Sequence, residues 1–137
     1  MRQIKKWRKD YRMNRHHQKI VTFGGRTGQF HLLSGLRELN DNSLITAVAG
    51  TWDSGGSSGR LRTELGVLPP GDIRRCILAL IPNEGQRMVA QRLFDDRLQD
   101  LTGPLKGHSF GNLLTARLEN IFKGQDRGID AERELFG

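Results

Sequence analysis

The sequence has one cysteine, four prolines and one tyrosine in 137 residues, and it has no long apolar run. A lone cysteine closes no internal disulfide, which excludes a disulfide-stapled secreted scaffold. The longest strongly apolar stretch, Ile77-Leu78-Ala79-Leu80-Ile81, falls far short of the roughly 20 residues of a membrane span, so no span is expected. No apolar segment of signal-peptide type follows the basic N-terminus, and a cytoplasmic location is expected. The His and Cys residues have no zinc spacing and no Ser-His-Asp arrangement is evident. The length suits one modest domain and excludes a two-domain enzyme with an independent lid.

What is present is charge, unevenly placed. Residues 1–19 hold eight basic side chains against Asp10 alone, while the other 118 residues carry 14 basic and 14 acidic groups. The net charge of +7 therefore belongs to residues 1–19, and all but the charge of Lys19 falls in a basic N-terminal extension, residues 1–18, ahead of a domain at 19–137. The extension reads either as an electrostatic foothold on nucleic acid or anionic lipid, or as a solvated tail that aids solubility. The second is preferred because short charge runs are weak signals, and nucleic acid is not expected as a partner.

Behind the extension the pattern alternates between strand and helix. Lys19 to Phe23 is a short β-branched run, ended by Gly24-Gly25-Arg26-Thr27-Gly28. Gln29 to Leu39 carries Phe30, Leu33 and Leu36 at helical spacing, with Leu32 and Leu39 alongside. Asn40-Asp41-Asn42 breaks that helix, and Leu44 to Ala49 reads as a second strand. Strand, Gly-rich turn, helix and strand predict a βαβ unit with a parallel pair. Asp53 to Gly59 is too rich in Gly and Ser for regular structure, and Ser58 is placed to cap a short helix that stops at Gly66. Asp72 is expected to N-cap a helix with the stripe Ile73, Cys76, Ile77, Leu80 and Ile81. Val89, Leu93, Phe94 and Leu98 mark another helix. A last one spans about Ser109 to Phe122, with Phe110, Leu113, Leu114, Leu118, Ile121 and Phe122 on its apolar side.

Several residues point to anion chemistry. A Gly-rich strand-to-helix turn presents backbone N–H groups and the positive helix end at one place, which suits phosphate, although a tight turn with no ligand also needs glycines. Asp53 closes the second strand, where an acidic group in an open α/β sheet meets a ribose hydroxyl or holds a metal. Gly55-Gly56-Ser57-Ser58-Gly59-Arg60 offers N–H groups and two hydroxyls as an anion nest, or else a flexible loop. Arg74 and Arg75 sit in a first helical turn, where the macrodipole disfavours cations; an anion, or an ion pair with Asp53 or Glu64, would offset this. His108 and Asn112 open the last helix and either orient a phosphate or sugar hydroxyl or only pack. Cys76 lies on an apolar stripe and reads as core, not as a nucleophile. A dinucleotide oxidoreductase is disfavoured, because there is no full G-x-G-x-x-G.

Four segments in order carry a family resemblance: Phe23 to Gly28, Asp53 to Arg62, Leu65 to Arg74, and His108 to Leu113. The chain resembles the N-terminal part of the gluconeogenesis-factor (YvcK-like) proteins, relatives of 2-phospho-L-lactate transferase (CofD), over roughly residues 19–123. The resemblance implies a Rossmann-like α/β fold with a parallel sheet and a nucleotide crevice at the strand ends. It implies a cytoplasmic, UDP-sugar-binding regulator of cell shape and wall synthesis. The alternative is a transferase that moves lactyl phosphate to a deazaflavin with Mg²⁺. Carried over by position, Gly24, Gly25, Thr27 and Gly28 would cradle phosphate, Asp53 would face ligand or metal, and Ser57 and Ser58 would bond phosphate oxygens. Asp72, Arg74, His108 and Asn112 would complete the crevice.

The chain departs from the family pattern twice. The first motif normally reads Gly-Gly-Gly-Thr-Gly, whereas Arg26 stands third here; an Arg where φ is positive costs about 1 kcal/mol or more and blocks the site, or else it contributes its guanidinium to the phosphate, and the first is preferred. The family also runs to about twice this length, so a fragment is expected. Its sheet would lack strands, and the unpaired edge would make the chain poorly soluble or a homo-oligomer.

Overall fold

The structure is a computed structural model, and it describes residues 19–39, 44–53 and 55–136. The basic extension and the Asn40-Asp41-Asn42 breaker lie outside the described residues. Strand β1 (Ile20–Gly24) leads into helix α1 (Arg26–Leu39), and β2 (Ile45–Ala49) returns beside β1. Then come α2 (Gly56–Leu65), α3 (Gly71–Leu80), α4 (Glu84–Asp95), a 3-10 turn (Gly103–Leu105), α5 (Phe110–Phe122) and α6 (Gln125–Phe136). The strands pair in parallel, Ile20 opposite Ile45 through Gly24 opposite Ala49. The chain is thus an α/β protein with a parallel sheet, as the alternation predicts.

Helix α3 is the centre of the fold. Its apolar residues feed two clusters, Leu33, Ile45, Cys76 and Ala79 on one side and Leu78, Ile81, Ala90 and Phe94 on another. A helix apolar on more than one face must be covered on more than one face. Here α1 and β2 cover one side, and α4 with α6 covers another. A third cluster joins Leu61, Val67 and Ala116 across α2 and α5. Arg37 of α1 donates to the Ala79 carbonyl near the end of α3, where a cation complements the helix dipole.

Several expectations need correction. Helix α1 begins at Arg26, so Thr27 and Gly28 belong to its first turn and not to a loop. Leu32 and Leu39 are exposed, because Gln29 and Leu33 hold the buried face. The Gly/Ser run does not stay irregular: α2 starts at Gly56, and Ser58 lies inside the helix and does not cap it. The expected stop holds, with Gly66 at φ +67 in the left-handed region that favours glycine. Asp72 is not the N-cap of α3; Pro70 is, and Asp72 sits in the first turn. On α4, Val89 and Leu93 face solvent while Ala90 and Phe94 are buried. On α5, Phe110, Ile121 and Phe122 are exposed, while Gly111, Asn112, Thr115 and Ala116 are buried with Leu118.

Helix α6 has no counterpart in the sequence reading. Its inward positions are Gly128, Glu132 and Phe136, at successive helical turns. A Cβ on Gly128 would lie 2.7 Å from the Glu119 nitrogen and 2.8 Å from its Cα, so α5 and α6 touch backbone to backbone there. Phe136 meets Phe94 edge to face, with centroids 5.1 Å apart. Glu132 is fully buried. Thr115 Oγ1 lies 3.0 Å from the Gly111 carbonyl and 3.2 Å from Glu132 Oε1. The one hydroxyl proton is shared between these two acceptors, and Glu132 Oε2 has no hydrogen-bond partner. Burial pushes the Glu132 carboxyl up to about 7, against the pull of Thr115 and Arg74.

Two outcomes follow from this packing. Gly128→Ala gains about 1 kcal/mol of helix propensity but forces two backbones apart, and is expected to destabilise by about 1–2 kcal/mol net in denaturant unfolding. The raised Glu132 carboxyl binds a proton in the folded chain that the unfolded chain has released, so its contribution is full below the unfolded value near 4.5 and is lost as pH rises toward about 7. Glu132→Gln removes that loss: thermal unfolding should match the parent at pH 4 and exceed it by about 3 kcal/mol at pH 8. Parallel curves for the two proteins from pH 4 to 8 would contradict the assignment.

Candidate functional site

The parallel strands end on one side of the molecule, and the helix starts gather there. The Gly50 N–H donates to the Gly24 carbonyl at 3.0 Å, which ties the two strand exits together. Beyond Gly25 the Arg26 N–H donates to Asp72 Oδ1 at 2.7 Å, joining the start of α1 to the start of α3. A Cβ on Gly25 would lie 2.6 Å from Asp72 Oδ2, so only glycine lets the turn rest on this carboxylate. Asp72 is buried, and its Oδ2 has no hydrogen-bond partner. A Cβ on Gly71 would lie 2.7 Å from Ser58 Oγ and 3.7 Å from Asp53 Oδ2, which places α2, α3 and the exit of β2 together.

Two groups of site residues separate in this arrangement. Gly24, Gly25, Thr27, Gly28 and Asp53 form an outer rim, with Thr27 and Gly28 exposed. Asp53 Oδ1 accepts the Gly55 N–H at 3.2 Å and lies 3.8 Å from the Arg26 guanidinium. Arg26 takes φ +56, the left-handed conformation that the family's usual glycine adopts freely. Its side chain is 73% exposed.

The second group lies inside. Ser57, Ser58, Arg74, His108 and Asn112 are buried, and they bond in two sets, Ser57 with His108 and Ser58 with Asn112 and Arg74, that meet through Ser109. Ser57 Oγ is 3.0 Å from His108 Nδ1 and accepts the Ser109 N–H at 3.3 Å. Asn112 Nδ2 donates to Ser58 Oγ at 3.2 Å and its Oδ1 accepts from Arg74 Nε at 2.9 Å. Arg74 also donates to the Phe94 carbonyl at 2.9 Å and to Asp95 Oδ1 at 3.4 Å. The ion-pair partner of Arg74 is therefore Asp95, not Asp53 or Glu64. Burial lowers the Arg74 pKa and Asp95 opposes that shift, so the guanidinium stays charged. Burial, with Arg60 nearby, holds His108 below its ordinary value and so neutral.

Ser109 N-caps α5 through the Asn112 N–H at 3.4 Å and donates to the Phe94 carbonyl at 2.7 Å. Neither α2 nor α3 has a side-chain cap. Four helix starts, those of α1, α2, α3 and α5, are thus linked by named contacts, and two of them leave their first N–H groups uncapped by side chains. Such ends carry partial positive charge and attract phosphate. Cys76 stays in the core, its thiol pushed up to about 11 by burial and by Asp72, so it is no nucleophile. Among the described residues no three His, Cys, Asp or Glu side chains gather as a metal site, and no helix is long and apolar enough to cross a membrane. Sequence reasoning missed Asp95 because nothing in the order of residues marks a partner that lies 21 positions beyond Arg74.

Comparison with known proteins agrees with this architecture. The family model described as 2-phospho-L-lactate transferase CofD matches residues 20–137. The gluconeogenesis factor of Halalkalibacterium halodurans is 44% identical over 112 residues, covering 82% of this chain and 33% of that protein. The gluconeogenesis factor of Bacillus subtilis is 46% identical over 103 residues, covering 75% of this chain and 31% of that protein. A crystal structure of a UPF0052 family member from Bacillus halodurans superposes with a TM-score of 0.72 at 41% identity, over 87% of this chain and 36% of that one. The chain spans about a quarter to a third of the length of the curated relatives it matches. On the match over residues 20–137, the chain belongs to the 2-phospho-L-lactate transferase CofD family.

Proposed function

We propose that the crevice at the ends of β1 and β2 binds the phosphates of a nucleotide, and that the ligand is a UDP-sugar. The protein would then serve as a cytoplasmic regulator of cell shape and wall synthesis. The observation that carries this reading is the meeting of four helix starts at the strand ends. Their positive ends repel one another mildly, and a polyphosphate offsets that repulsion while pairing uncapped N–H groups. In this reading Gly24, Gly25, Thr27 and Gly28 supply backbone donors, and Asp53 meets a ribose hydroxyl. Asp72 fixes the Arg26 amide, while Ser57, Ser58, Arg74, His108 and Asn112 hold the wall rigid from behind.

Magnesium suits the rim in a limited way. Mg²⁺ uses one or two carboxylates and completes its shell with water and phosphate oxygens. Asp53 is the half-buried carboxylate at the rim, while Asp72 is turned inward to the Arg26 amide. Asp53 would hold the ion, which would supply charge neutralisation at the phosphates.

The family description favours a second reading, transfer of lactyl phosphate to a deazaflavin. A transfer assay with Mg²⁺ separates the two, since a pure regulator gives no product. Self-association belongs to the first reading: Val21, Phe23 and Val48 leave one sheet face bare, and parallel sheets are ordinarily covered on both faces.

Two measurements test the reading. In the chain extended to the length of its relatives, UDP-glucose is expected to raise the melting temperature more than NAD⁺ or NADH does. Stabilisation by the dinucleotides alone would overturn the UDP-sugar assignment. Arg26→Gly is expected to relieve about 1 kcal/mol of backbone strain and to tighten nucleotide binding in titration calorimetry. Weaker binding would identify the Arg26 guanidinium as a phosphate ligand.

A further inference from the structure

The far side of α2 carries a groove that the crevice does not use. It is an open cavity of about 620 Å³ between the first two turns of α2 and the segment 97–107. Ser58 turns from α2 toward Gly71 and Asn112, whereas Gly56, Gly59 and Arg60 face this groove. Three cations line it, Arg60, Arg97 and Lys106, against the single carboxylate of Glu64.

The two guanidinium groups are held by main-chain acceptors and not by acids. Arg60 Nη2 donates to the Lys106 carbonyl at 3.0 Å, and Arg97 Nη1 donates to the Gly107 carbonyl at 3.4 Å. Among the described residues none of the three makes an ion pair within 4.0 Å. Each guanidinium has five N–H donors, and these bonds use one apiece.

The segment that carries Arg97 and Lys106 is itself fixed. Leu98 N–H donates to the His108 carbonyl at 3.1 Å, and Gly107 N–H donates to the Leu98 carbonyl at 2.9 Å. Arg97 also bridges Ser109 in antiparallel fashion, which anchors the segment to the start of α5. Three like charges kept around one cavity repel unless a counter-charge enters. The start of α2, with no side-chain cap, adds its positive end at the same place.

We propose that this groove is an anion subsite that takes a phosphoryl group, gripped by the guanidinium groups of Arg60 and Arg97 and the ammonium of Lys106. Arg binds phosphate through paired N–H donors and Lys as a point charge, so the set suits a dianionic phosphate better than a carboxylate. The groove lies beside the crevice: Ser57 of α2 borders both, and the segment 97–107 is tied to His108 and Ser109 of the crevice wall. A second phosphate of one long ligand and a separate phosphorylated molecule present the same chemistry to it.

The test is an amide NMR titration of the intact chain with inorganic phosphate and, in parallel, with acetate. Phosphate is expected to move the signals of Gly56, Gly59, Lys106 and Gly107 at low ionic strength, with acetate at least tenfold weaker. The double variant Arg97→Ala/Lys106→Ala, both exposed positions, should weaken phosphate at least tenfold while the remaining amide signals stay in place. Gly25→Ala, which blocks the crevice, should leave the groove signals responsive. Loss of response in Gly25→Ala together with full response in the double variant would assign the phosphate to the crevice and overturn the groove. Absence of any shift in the parent would overturn it equally, while leaving the UDP-glucose melting experiment to judge the crevice. UDP-glucose moving both sets of signals in the extended chain would mark one ligand spanning both places. Movement of the crevice set alone, with phosphate still in the groove, would mark a separate ligand.

Discussion

Arg74 is the constraint on which the rest of the structure depends. The residue is 5% exposed, and its guanidinium reaches Asn112, the Phe94 carbonyl and Asp95, with the Phe94 ring 5.8 Å away. A buried charge is tolerable only when it is paired and its donors are satisfied. Here the partners come from α4 and α5, so the centre of α3 can be buried only if both helices are in place. The surroundings are cut to fit: a Cβ on Gly111 would lie 2.5 Å from Arg74 Cδ and 2.9 Å from the Phe94 Cα. Breaking one partner would leave an uncompensated charge, which is why this contact specifies the arrangement as well as stabilising it.

From that centre the order passes outward to the strand ends. Asn112, held by Arg74 through Oδ1, uses its amide nitrogen to hold Ser58. Ser58 in turn sits against Gly71, beside Asp53. Ser57 is held by His108 and the Ser109 amide. The wall behind the crevice is therefore a chain of satisfied polar groups, rigid before any ligand arrives. A preorganised wall reduces the ordering cost of binding an anion. Two buried oxygens of this region have no hydrogen-bond partner, and both pack against the glycine turn: Asp72 Oδ2 beside Gly25 and Gln29 Oε1 beside Gly24.

Small residues decide how near the pieces come. Gly25 rests on Asp72, Gly71 on Ser58, Gly111 on Arg74 and Gly128 on the α5 backbone. Arg26 is the exception, a bulky residue in a left-handed conformation at the mouth of the crevice. It adds a cation beside Asp53.

The sequence by itself determined the βαβ opening, the helix stripes of α1 and α3, the αL stop at Gly66 and the core position of Cys76. Each rests on local chemistry: periodic apolar residues, β-branched runs, a glycine that tolerates positive φ. It also carried the family motifs, because those residues stand in order along the chain. Only the tertiary structure decided that Asp72 bonds the Arg26 amide rather than capping its own helix, and that Ser57 and Ser58 lie within a helix. Both depend on partners 46 or more positions away. Helix α6 escaped for the same reason: besides Phe136, its inward face is a glycine in backbone contact and a buried glutamate, and neither carries an apolar signature. Polar groups turn inward only where the fold supplies their partners, and that supply is not written in any local stretch of sequence.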